Sequence, residues 1–243
     1  MKAFSKLALG ACLALAAFAP TQGFSQEIKV LTTNSPPYAI EKGDQKGFMV
    51  DLVHAIADVL GTKVKVEFMP WEEAQKLAKD SPNTLIFPFS KTPAREANFN
   101  WVIEIWEVKV GFATMSDKPK VASLDQAKGL KAIGVPAGSP WMKKLKDEGL
   151  TNLVDLRGPA AVEKLVAGEI DAIYDTVVSI QYNWLTSGAA GKPNGGMTPQ
   201  TLTQFIAGSK NSPAIKIDEW QGAYEVVKED GTFDKIYKKY FGS

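Results

Sequence analysis

Residues 84–101 read TLIFPFSKTPAREANFNW and combine a strand end with a helix start. The apolar run at residues 85–87 is typical of a buried strand, and Pro88 marks the point where regular pairing is expected to stop. Thr92 is a helix-capping residue type, and Pro93 is the residue type best tolerated at a first helical position. A helical turn is therefore predicted to begin there, with its free N–H groups pointing outward.

Arg95 falls on the first turn of this predicted helix, close to the hydroxyls of Ser90 and Thr92. A helix start offers N–H groups to an anion, and a planar guanidinium with five donors matches the geometry of a carboxylate. We interpret this combination as a grip for a carboxylate or a similar anion. The alternative is an ion pair between Arg95 and Glu96 or another surface acid, since arginines on first turns are commonly solvated.

Residues 1–25 have the pattern of a secretory signal peptide. A basic start precedes an apolar run at residues 7–19, and small residues stand at both positions that signal peptidase reads in residues 23–25. Cleavage is predicted after Ser25 or, as second choice, one residue later. A lipoprotein-type site ending at Cys12 would leave only five apolar residues before the cysteine, so a lipid anchor is not expected. The product is expected in the periplasm.

Composition excludes several kinds of active site. The only cysteine, Cys12, leaves with the signal peptide, so disulfides and cysteine-based metal sites are excluded from the mature chain. His54 is the only histidine, which removes histidine triads and multi-histidine metal centres, and its helical spacing places it on a solvated face. We expect no metal and no cofactor. The net charge of +1 gives no indication of nucleic-acid binding, and no later stretch approaches the ~18 apolar residues of a membrane span.

Strands and helices alternate along the mature chain, which indicates an α/β fold with a parallel sheet. The clearest predicted strands are residues 27–33, 64–69, 85–87, 152–156 and 169–176, and the clearest predicted helices are residues 48–60, 71–80, 159–168, 213–229 and 232–241. Tyr38 lies in a stiff turn after the first strand. Trp71 follows a strand end at a helix start, which is where open α/β sheets bind ligands.

Two stretches are candidates for crossings between two lobes. Residues 101–115 form a β-rich run that exceeds a typical strand in length, and residues 201–207 form the predicted return crossing. Between the crossings, residues 186–200 are rich in glycine and proline and are predicted to form a surface loop. After the return crossing, Ser212 and Pro213 are predicted to start a capped helix.

Six segments occur in an order that resembles one known family. They are PPY at 36–38, GF-x-VDL-x-x-AIA-x-x-LG at 47–61, T-P-x-RE at 92–96, G-x-x-x-GS at 134–139, G-x-IDA at 168–172 and GTFDKIYKKYF at 231–241. Over nearly its whole mature length the chain resembles the solute-binding proteins of polar amino-acid ABC transporters. The resemblance implies a two-lobed α/β periplasmic-binding-protein fold of type II, whose two parallel-core sheets are joined by two crossing strands. It places lobe 1 at residues 26–112 and 206–243, and lobe 2 at residues 113–205.

The same resemblance implies a ligand site in the cleft and suggests roles for seven residues. Six of them match family positions: Tyr38 and Trp71 as aromatic walls, Ser90 and Ser139 as hydroxyls, Arg95 as the carboxylate clamp and Asp175 as the partner of the ligand ammonium. The seventh, Phe89, departs from the family pattern and is expected to narrow the pocket with apolar surface. A monomeric binding protein that closes its lobes on a small carboxylate or amino acid and docks on a membrane permease is implied.

Three positions depart from the family pattern. Pro140 stands where an N–H is usual, and proline has none. Asp175 follows Asp171 by four residues instead of five, and a slip of one residue in a strand turns a side chain to the other face. The sequence Phe87-Pro88-Phe89 replaces a small, glycine-containing stretch and predicts a narrower, more apolar pocket.

The rival class is an enzyme, because the implied fold also resembles that of periplasmic cyclohexadienyl dehydratases. Such an elimination needs a cleft carboxylic acid with a raised pKa, for which Asp175, Glu72 or Glu73 would be the candidates. Glu72 and Glu73 are more simply solvated helix residues, and no second catalytic group is evident. A third alternative is a sensor domain, which normally continues into a membrane span. Of the three alternatives, the sequence favours a binding protein.

Overall fold

The computed structural model of the protein describes residues 27–242, and the predicted signal peptide lies outside them. The strands are β1 (Ile28–Thr32), β2 (Val64–Phe68), β3 (Thr84–Ser90), β4 (Phe99–Thr114), β5 (Ile133–Val135), β6 (Leu153–Asp155), β7 (Ala172–Thr176), β8 (Asn194–Gly195) and β9 (Gln200–Ser209). The helices are α1 (Phe48–Val59), α2 (Trp71–Asp80), α3 (Pro93–Glu96), α4 (Leu124–Lys128), α5 (Pro140–Asp147), α6 (Gly158–Val166), α7 (Val177–Ser187), α8 (Ile217–Glu229) and α9 (Thr232–Phe241). Between residues 27 and 242, none of the helices has the length and apolar character needed to cross a bilayer.

The strands form one mixed sheet in the order β2-β1-β3-β9-β4-β7-β5-β6, and β8 pairs with β4. On each side, the strands that alternate with helices pair in parallel: β2, β1 and β3 on one side, and β6, β5 and β7 on the other. The two longest strands, β4 and β9, are antiparallel to each other and join the two parallel groups. These are the two crossing strands, so the predicted two-lobed α/β fold is confirmed.

The apolar core divides along the β4–β9 pair. Ile103 packs with residues of α1 and α8 in one core, whereas Val110 and Phe112 pack with residues of β5 and α5 in another. We call the part built on β1, β2 and β3 the first lobe and the part built on β5, β6 and β7 the second lobe. Glu107, between the two cores, is exposed. The core therefore changes a few residues before the lobe boundary predicted at residue 112.

Pairing in β3 is interrupted at Pro88, as predicted, but it then resumes. The register against β9 shifts between Ile86 and Phe89, because proline has no N–H to donate to the ladder. Phe89 and Ser90 pair again with β9. Since side chains alternate along a strand, Phe89 turns into the core and Ser90 turns to the opposite face.

Helix α7 is not predicted from the sequence. It begins with Val177 and Val178, and β-branched residues of this kind favour strands. The Thr176 hydroxyl caps it by accepting a hydrogen bond from the Ser179 N–H at 3.2 Å. Trp184, on its buried face, packs against residues of α6, so tertiary packing outweighs the local preference.

The helix predicted to start at Ser212 starts at Ile217 instead. The Ser212 hydroxyl shares a hydrogen bond with the Ser209 hydroxyl and does not cap a helix. The Asn83 side-chain oxygen accepts a hydrogen bond from the Ala214 N–H at 2.8 Å. Because these contacts tie the segment to the first lobe as a turn, the helix can begin only after it.

Candidate functional site

A cavity lies between the two lobes at the carboxyl ends of the parallel strands. Thr33 and Ser90 line it from the first lobe, and Pro136, Arg157 and Asp175 line it from the second. This edge is where open α/β sheets generally bind ligands. The cavity is small, with room for about three waters. The lobes as they stand therefore leave little space between them.

Six of the seven residues singled out in the sequence line this cavity. They are Tyr38, Trp71, Ser90, Arg95, Ser139 and Asp175. The first four belong to the first lobe and the last two to the second. Residues from separate motifs are thus brought together by the parallel strand ends of both lobes.

Phe89, the seventh, does not line the cavity. Its side chain is fully buried, and its ring centroid lies 4.7 Å from that of Phe99 and 5.7 Å from that of Trp101. The Arg95 guanidinium carbon lies 4.2 Å from the same ring centroid. The resumed pairing of β3 turns Phe89 inward, so that it supports Arg95 from behind.

Arg95 is half-buried at the cavity wall and hydrogen-bonded to uncharged groups. Its Nη1 donates to the Ser90 carbonyl at 3.1 Å, and its Nη2 donates to the Gln75 side-chain oxygen and to the Gly138 carbonyl at 3.2 Å. Burial lowers its pKa to about 10, so it remains positively charged at neutral pH. The alternative pairing with Glu96 is not formed, because the Glu96 carboxylate pairs with Lys91 at 3.2 Å.

Gly138 joins the lobes directly across the cavity. Its carbonyl, in the second lobe, accepts hydrogen bonds from Arg95 and from the Gln75 side chain of the first lobe, both at 3.2 Å. Gly138 has a φ of +68°, and an added Cβ would lie 2.7 Å from Cγ of Glu72 on α2. Glycine is therefore required here both for backbone conformation and for close approach of the two lobes.

Asp175 lies at the end of β7 and is buried against the cavity. Its Oδ1 accepts a hydrogen bond from the Thr176 N–H at 2.7 Å. Burial raises its pKa to about 6, although that hydrogen bond and the nearby charge of Arg157 act in the opposite direction. The spacing of four residues from Asp171 does not turn the side chain away, because β7 ends at Thr176 and Asp175 faces the cavity from the strand end.

The two predicted aromatic walls belong to the first lobe. Tyr38 is only 3% exposed, and its hydroxyl lies beside Thr176 and Asp175 of the second lobe. Burial is the main reason that its pKa is raised, so the hydroxyl stays neutral. Trp71 opens α2 and packs at 5.9 Å from the Phe89 ring. Both side chains form part of the core and part of the cavity wall.

The two serine hydroxyls at the cavity already have partners. Ser90 Oγ accepts a hydrogen bond from the Gln204 side chain at 2.7 Å. Ser139 Oγ donates to the Pro136 carbonyl at 2.6 Å and accepts from the Met142 N–H at 3.1 Å, which caps α5. A hydroxyl held in this way has a fixed orientation, so each serine offers a defined polar surface to the cavity.

Two prolines line the cavity, whereas Phe87 and Phe89, which were expected to narrow it, do not. Pro140, the first residue of α5, lines the second-lobe side and cannot donate a backbone hydrogen bond. Pro88 lines the first-lobe side and adds apolar surface. Binding of an anion at this site therefore depends on side-chain donors more than on backbone N–H groups at the start of α5.

Sequence reasoning missed Arg157, which lines the cavity from the second lobe. It lies at the start of α6, where its Nη2 donates to the Ala137 carbonyl at 2.9 Å. Burial lowers its pKa, and the nearby acids Asp175, Asp155 and Glu72 oppose that shift. Composition offered a signal, since Arg95 and Arg157 are the only arginines among the 28 basic residues of the chain.

The arrangement is suited to holding an anionic group. Two guanidinium groups, one carboxylate and several hydroxyls face a small cavity with apolar walls. Glu72 and Glu73, the other acids considered for proton transfer, are exposed on α2. His54 is also exposed, on α1. The charged groups at the cavity thus offer ion pairing and hydrogen bonding to a ligand.

Comparison with known proteins identifies the family. Residues 28–243 match the family model described as bacterial extracellular solute-binding proteins, family 3. The chain is 26% identical to a probable histidine-binding protein of Neisseria gonorrhoeae over 82% of this chain and 76% of that one. It is 23% identical to an arginine-binding periplasmic protein of Mannheimia haemolytica, over 90% of this chain and 92% of that one. The fold matches the GluR0 ligand-binding core from Nostoc punctiforme in complex with L-glutamate, with a TM-score of 0.78, 23% identity, and coverage of 89% of this chain and 100% of that one. The chain belongs to family 3 of the bacterial extracellular solute-binding proteins.

Proposed function

We propose that the chain is a periplasmic binding protein that captures a small carboxylate-bearing ligand of the amino-acid class. The observation that carries the proposal is Arg95, a half-buried guanidinium at the cavity wall whose pKa is lowered by its partial removal from water. None of the ion pairs formed among residues 27–242 includes an arginine. Buried charges in proteins are normally paired, so a ligand carboxylate is the counter-ion that this site needs.

Arg95 has donors left for such a ligand. Three of its hydrogen bonds go to Ser90, Gln75 and Gly138, and a guanidinium has five N–H donors. A carboxylate can take the remaining donors or replace the Gly138 carbonyl. Stacking on Phe89 holds the guanidinium plane in place while these partners change.

The amine of an amino acid fits the opposite side of the cavity. Asp175 is a buried carboxylate that accepts one short hydrogen bond from the Thr176 N–H. A ligand ammonium beside it would add to the positive charge of Arg157 and offset the cost of burying the carboxylate. Tyr38 and Trp71 then bound the rest of the ligand as apolar walls. The names of the relatives, which include histidine- and arginine-binding proteins, support the amino-acid class.

Lobe closure is the mechanism that we propose for capture. The Gly138 carbonyl is bonded by Arg95 and Gln75, and these bonds require the lobes to be together. A ligand that contacts both Arg95 and Asp175 would favour this arrangement over an open one, which is a population shift. The closed form would then deliver the ligand to an ABC permease, with the chain acting as a monomer.

The experiment is a thermal-shift screen of refolded, ligand-stripped protein. The probes are proteinogenic amino acids and, separately, carboxylates without an amine. A ligand at a hundred times its Kd stabilises the folded state by about 2.7 kcal/mol, which raises the Tm by several degrees. We expect amino acids to raise it and Arg95→Lys to abolish most of the shift, because lysine cannot bind a carboxylate through two parallel hydrogen bonds. No shift with any probe would contradict the proposal.

A dehydratase on the same fold is the second candidate, and one observation favours it. Asp175 has a pKa of about 6, which suits a cleft acid that donates a proton. Against it, the relatives are named as binding proteins, and Glu72 and Glu73 are exposed. Incubation with prephenate or arogenate, followed by detection of the aromatic product, separates the two candidates. Turnover that Asp175→Asn abolishes would establish the enzyme.

Export completes the proposal. We propose that the chain reaches the periplasm and loses residues 1–25, without a lipid anchor at Cys12. The mass of the protein recovered from the periplasmic fraction checks this directly. The expected mature chain begins at Gln26, whereas a chain that begins at a lipid-modified Cys12 would contradict the proposal.

A further inference from the structure

The two arginines of the chain meet at one cavity. The sequence has 28 basic residues, and all except Arg95 and Arg157 are lysines. Arg95 lines the cavity from the first lobe and Arg157 lines it from the second. Arginine differs from lysine in presenting a planar fork that pairs with a carboxylate through two parallel hydrogen bonds. The restriction of this residue type to the cavity points to two anion contacts.

The charges at the cavity do not balance. The charged residues that line it are Arg95, Arg157 and Asp175. Asp155 and Glu72 also lie near Arg157, but both are exposed, so water and salt screen their effect. No ion pair among residues 27–242 involves either arginine. The enclosed part of the site therefore carries one more positive charge than negative charge.

A zwitterionic amino acid would leave this excess in place. Its carboxylate would pair with Arg95 and its ammonium with Asp175, and Arg157 would stay without a counter-ion. Arg157 makes one hydrogen bond within the described residues, from Nη2 to the Ala137 carbonyl, and a guanidinium has five donors. Most of its fork is thus free to receive a second group from the ligand.

We propose that Arg157 binds a second carboxylate and that the ligand is a small molecule with two carboxylates. This inference rests on the proposed function and narrows its ligand class. Both an acidic amino acid and a dicarboxylate without an amine have two carboxylates, and the net charge of −1 on the acidic amino acid balances the excess at the site. A cationic side chain beside Arg157 would be repelled, so the selectivity differs from that stated in the names of the histidine- and arginine-binding relatives.

Isothermal titration calorimetry on the ligand-stripped mature chain tests this proposal. The probes are L-aspartate, L-glutamate, succinate, L-asparagine, L-glutamine and L-arginine. We expect at least one dicarboxylate to bind at least tenfold more tightly than its neutral amide, with no binding of L-arginine. Comparing the affinities of succinate and L-aspartate distinguishes an amine-free dicarboxylate from an acidic amino acid, since only the amino acid has an ammonium group that can pair with Asp175.

Arg157→Gln provides the specific test. A charge-assisted contact of this kind is worth about a 10- to 100-fold change in affinity, so the dicarboxylate should lose about that much. The affinity for the amide should change by less than about threefold, because the amide does not use the positive charge. Lys146→Gln removes the same charge from an exposed site on α5 of the second lobe and should leave both affinities unchanged. Arg157→Lys should keep part of the preference.

The outcomes separate this inference from the proposed function. If wild-type protein binds L-asparagine, L-glutamine or L-arginine at least as tightly as any dicarboxylate, the second carboxylate site is wrong and the proposed function stands. An equal loss of amide and dicarboxylate affinity in Arg157→Gln also overturns the inference. If none of the six probes binds, the inference fails, and the thermal-shift screen of all proteinogenic amino acids decides separately on the proposed function. The preference of the wild-type protein decides the question even if Arg157→Gln does not fold.

Discussion

The guanidinium carbon of Arg95 lies 4.2 Å from the centroid of the Phe89 ring, and the ring is fully buried beneath it. A cation over an aromatic face is attracted by the ring quadrupole, more strongly where water is excluded. Phe89 is itself fixed by Phe99, at 4.7 Å between centroids. The orientation of the proposed carboxylate clamp therefore depends on a residue that does not touch the cavity.

Phe89→Leu tests this support. The change removes the aromatic face but keeps an apolar side chain, and a cation–π contact is worth about 0.5–2 kcal/mol. Ligand affinity should fall by about 2- to 30-fold, because Arg95 loses its fixed plane. Calorimetry with the tightest-binding ligand from the thermal-shift screen measures this loss of affinity. The free energy of unfolding should also fall, by about 1–3 kcal/mol, as in other core substitutions.

Phe112→Leu is the matched control for Phe89→Leu. Phe112 is 2% exposed and packs in the apolar core of the second lobe, apart from the cluster that holds Phe89. Urea denaturation should show a similar loss of stability, whereas affinity should change little. If both variants lose affinity equally, the effect of Phe89 comes from general loosening of the core, and the specific support of Arg95 is refuted.

Gly138→Ala should weaken ligand binding by keeping the lobes apart. An added Cβ would lie 2.7 Å from Cγ of Glu72 and 3.1 Å from the Gln75 side-chain nitrogen across the cavity. Overpacking of this kind costs about 1–3 kcal/mol, so affinity should fall by about 5- to 100-fold. Small-angle X-ray scattering at saturating ligand should show a larger radius of gyration than that of the wild-type protein.

Gly149→Ala controls for the backbone strain in Gly138→Ala. Gly149 has a φ of +84°, against +68° at Gly138, but no atom lies within 4 Å of its added Cβ. Both variants lose about 1–2 kcal/mol of stability from the left-handed backbone. Only Gly138→Ala should change the affinity and the radius of gyration. Wild-type affinity in Gly138→Ala would show that the contact between the lobes does not matter for capture.

The residues of the site differed in how far the sequence could predict them. Arg95 and Asp175 were predictable because each stands in a short motif at the end of a strand, and parallel strand ends meet at one edge. The direction of the Phe89 side chain was not predictable, because it depends on where β3 resumes pairing with β9 after Pro88. Arg157 was missed because no local motif marks it. Its rarity as one of two arginines was the only signal in the sequence, and its position opposite Arg95 is evident only in the folded chain.

Elements with strong periodicity were predicted well, and elements set by tertiary contacts were not. Helix α1 follows from its apolar spacing and begins and ends close to the predicted residues. Helix α7 begins with valines that favour a strand, so its formation depends on the Thr176 cap and on packing of Trp184. The start of α8 depends on contacts of Ser212 and Asn83 that join distant parts of the chain.

Asp175→Asn should stabilise the ligand-free protein at neutral pH while it weakens the binding of amines. The pKa of Asp175 is raised from 3.8 to about 6, mainly by burial. Between these values the folded state binds the proton more tightly than the unfolded state does. The stability of the wild-type protein should therefore fall as pH rises from about 4 to about 6, by up to about 3 kcal/mol from this residue alone. An asparagine carries no such charge, so the variant should lack this part of the pH dependence.

Urea denaturation of ligand-free protein between pH 4 and pH 7.5 measures the effect as the difference between wild type and Asp175→Asn. Asp58→Asn, at an exposed position on α1, is the control and should follow the wild-type profile. Above pH 6 the Asp175→Asn variant should be the more stable protein, and amino acids should bind it more weakly because the ammonium loses its counter-ion. A difference that does not vary with pH would mean that Asp175 is solvated in the ligand-free protein. In that case the cavity would be open to water before the ligand arrives, and the carboxylate would have no burial cost for a ligand ammonium to offset.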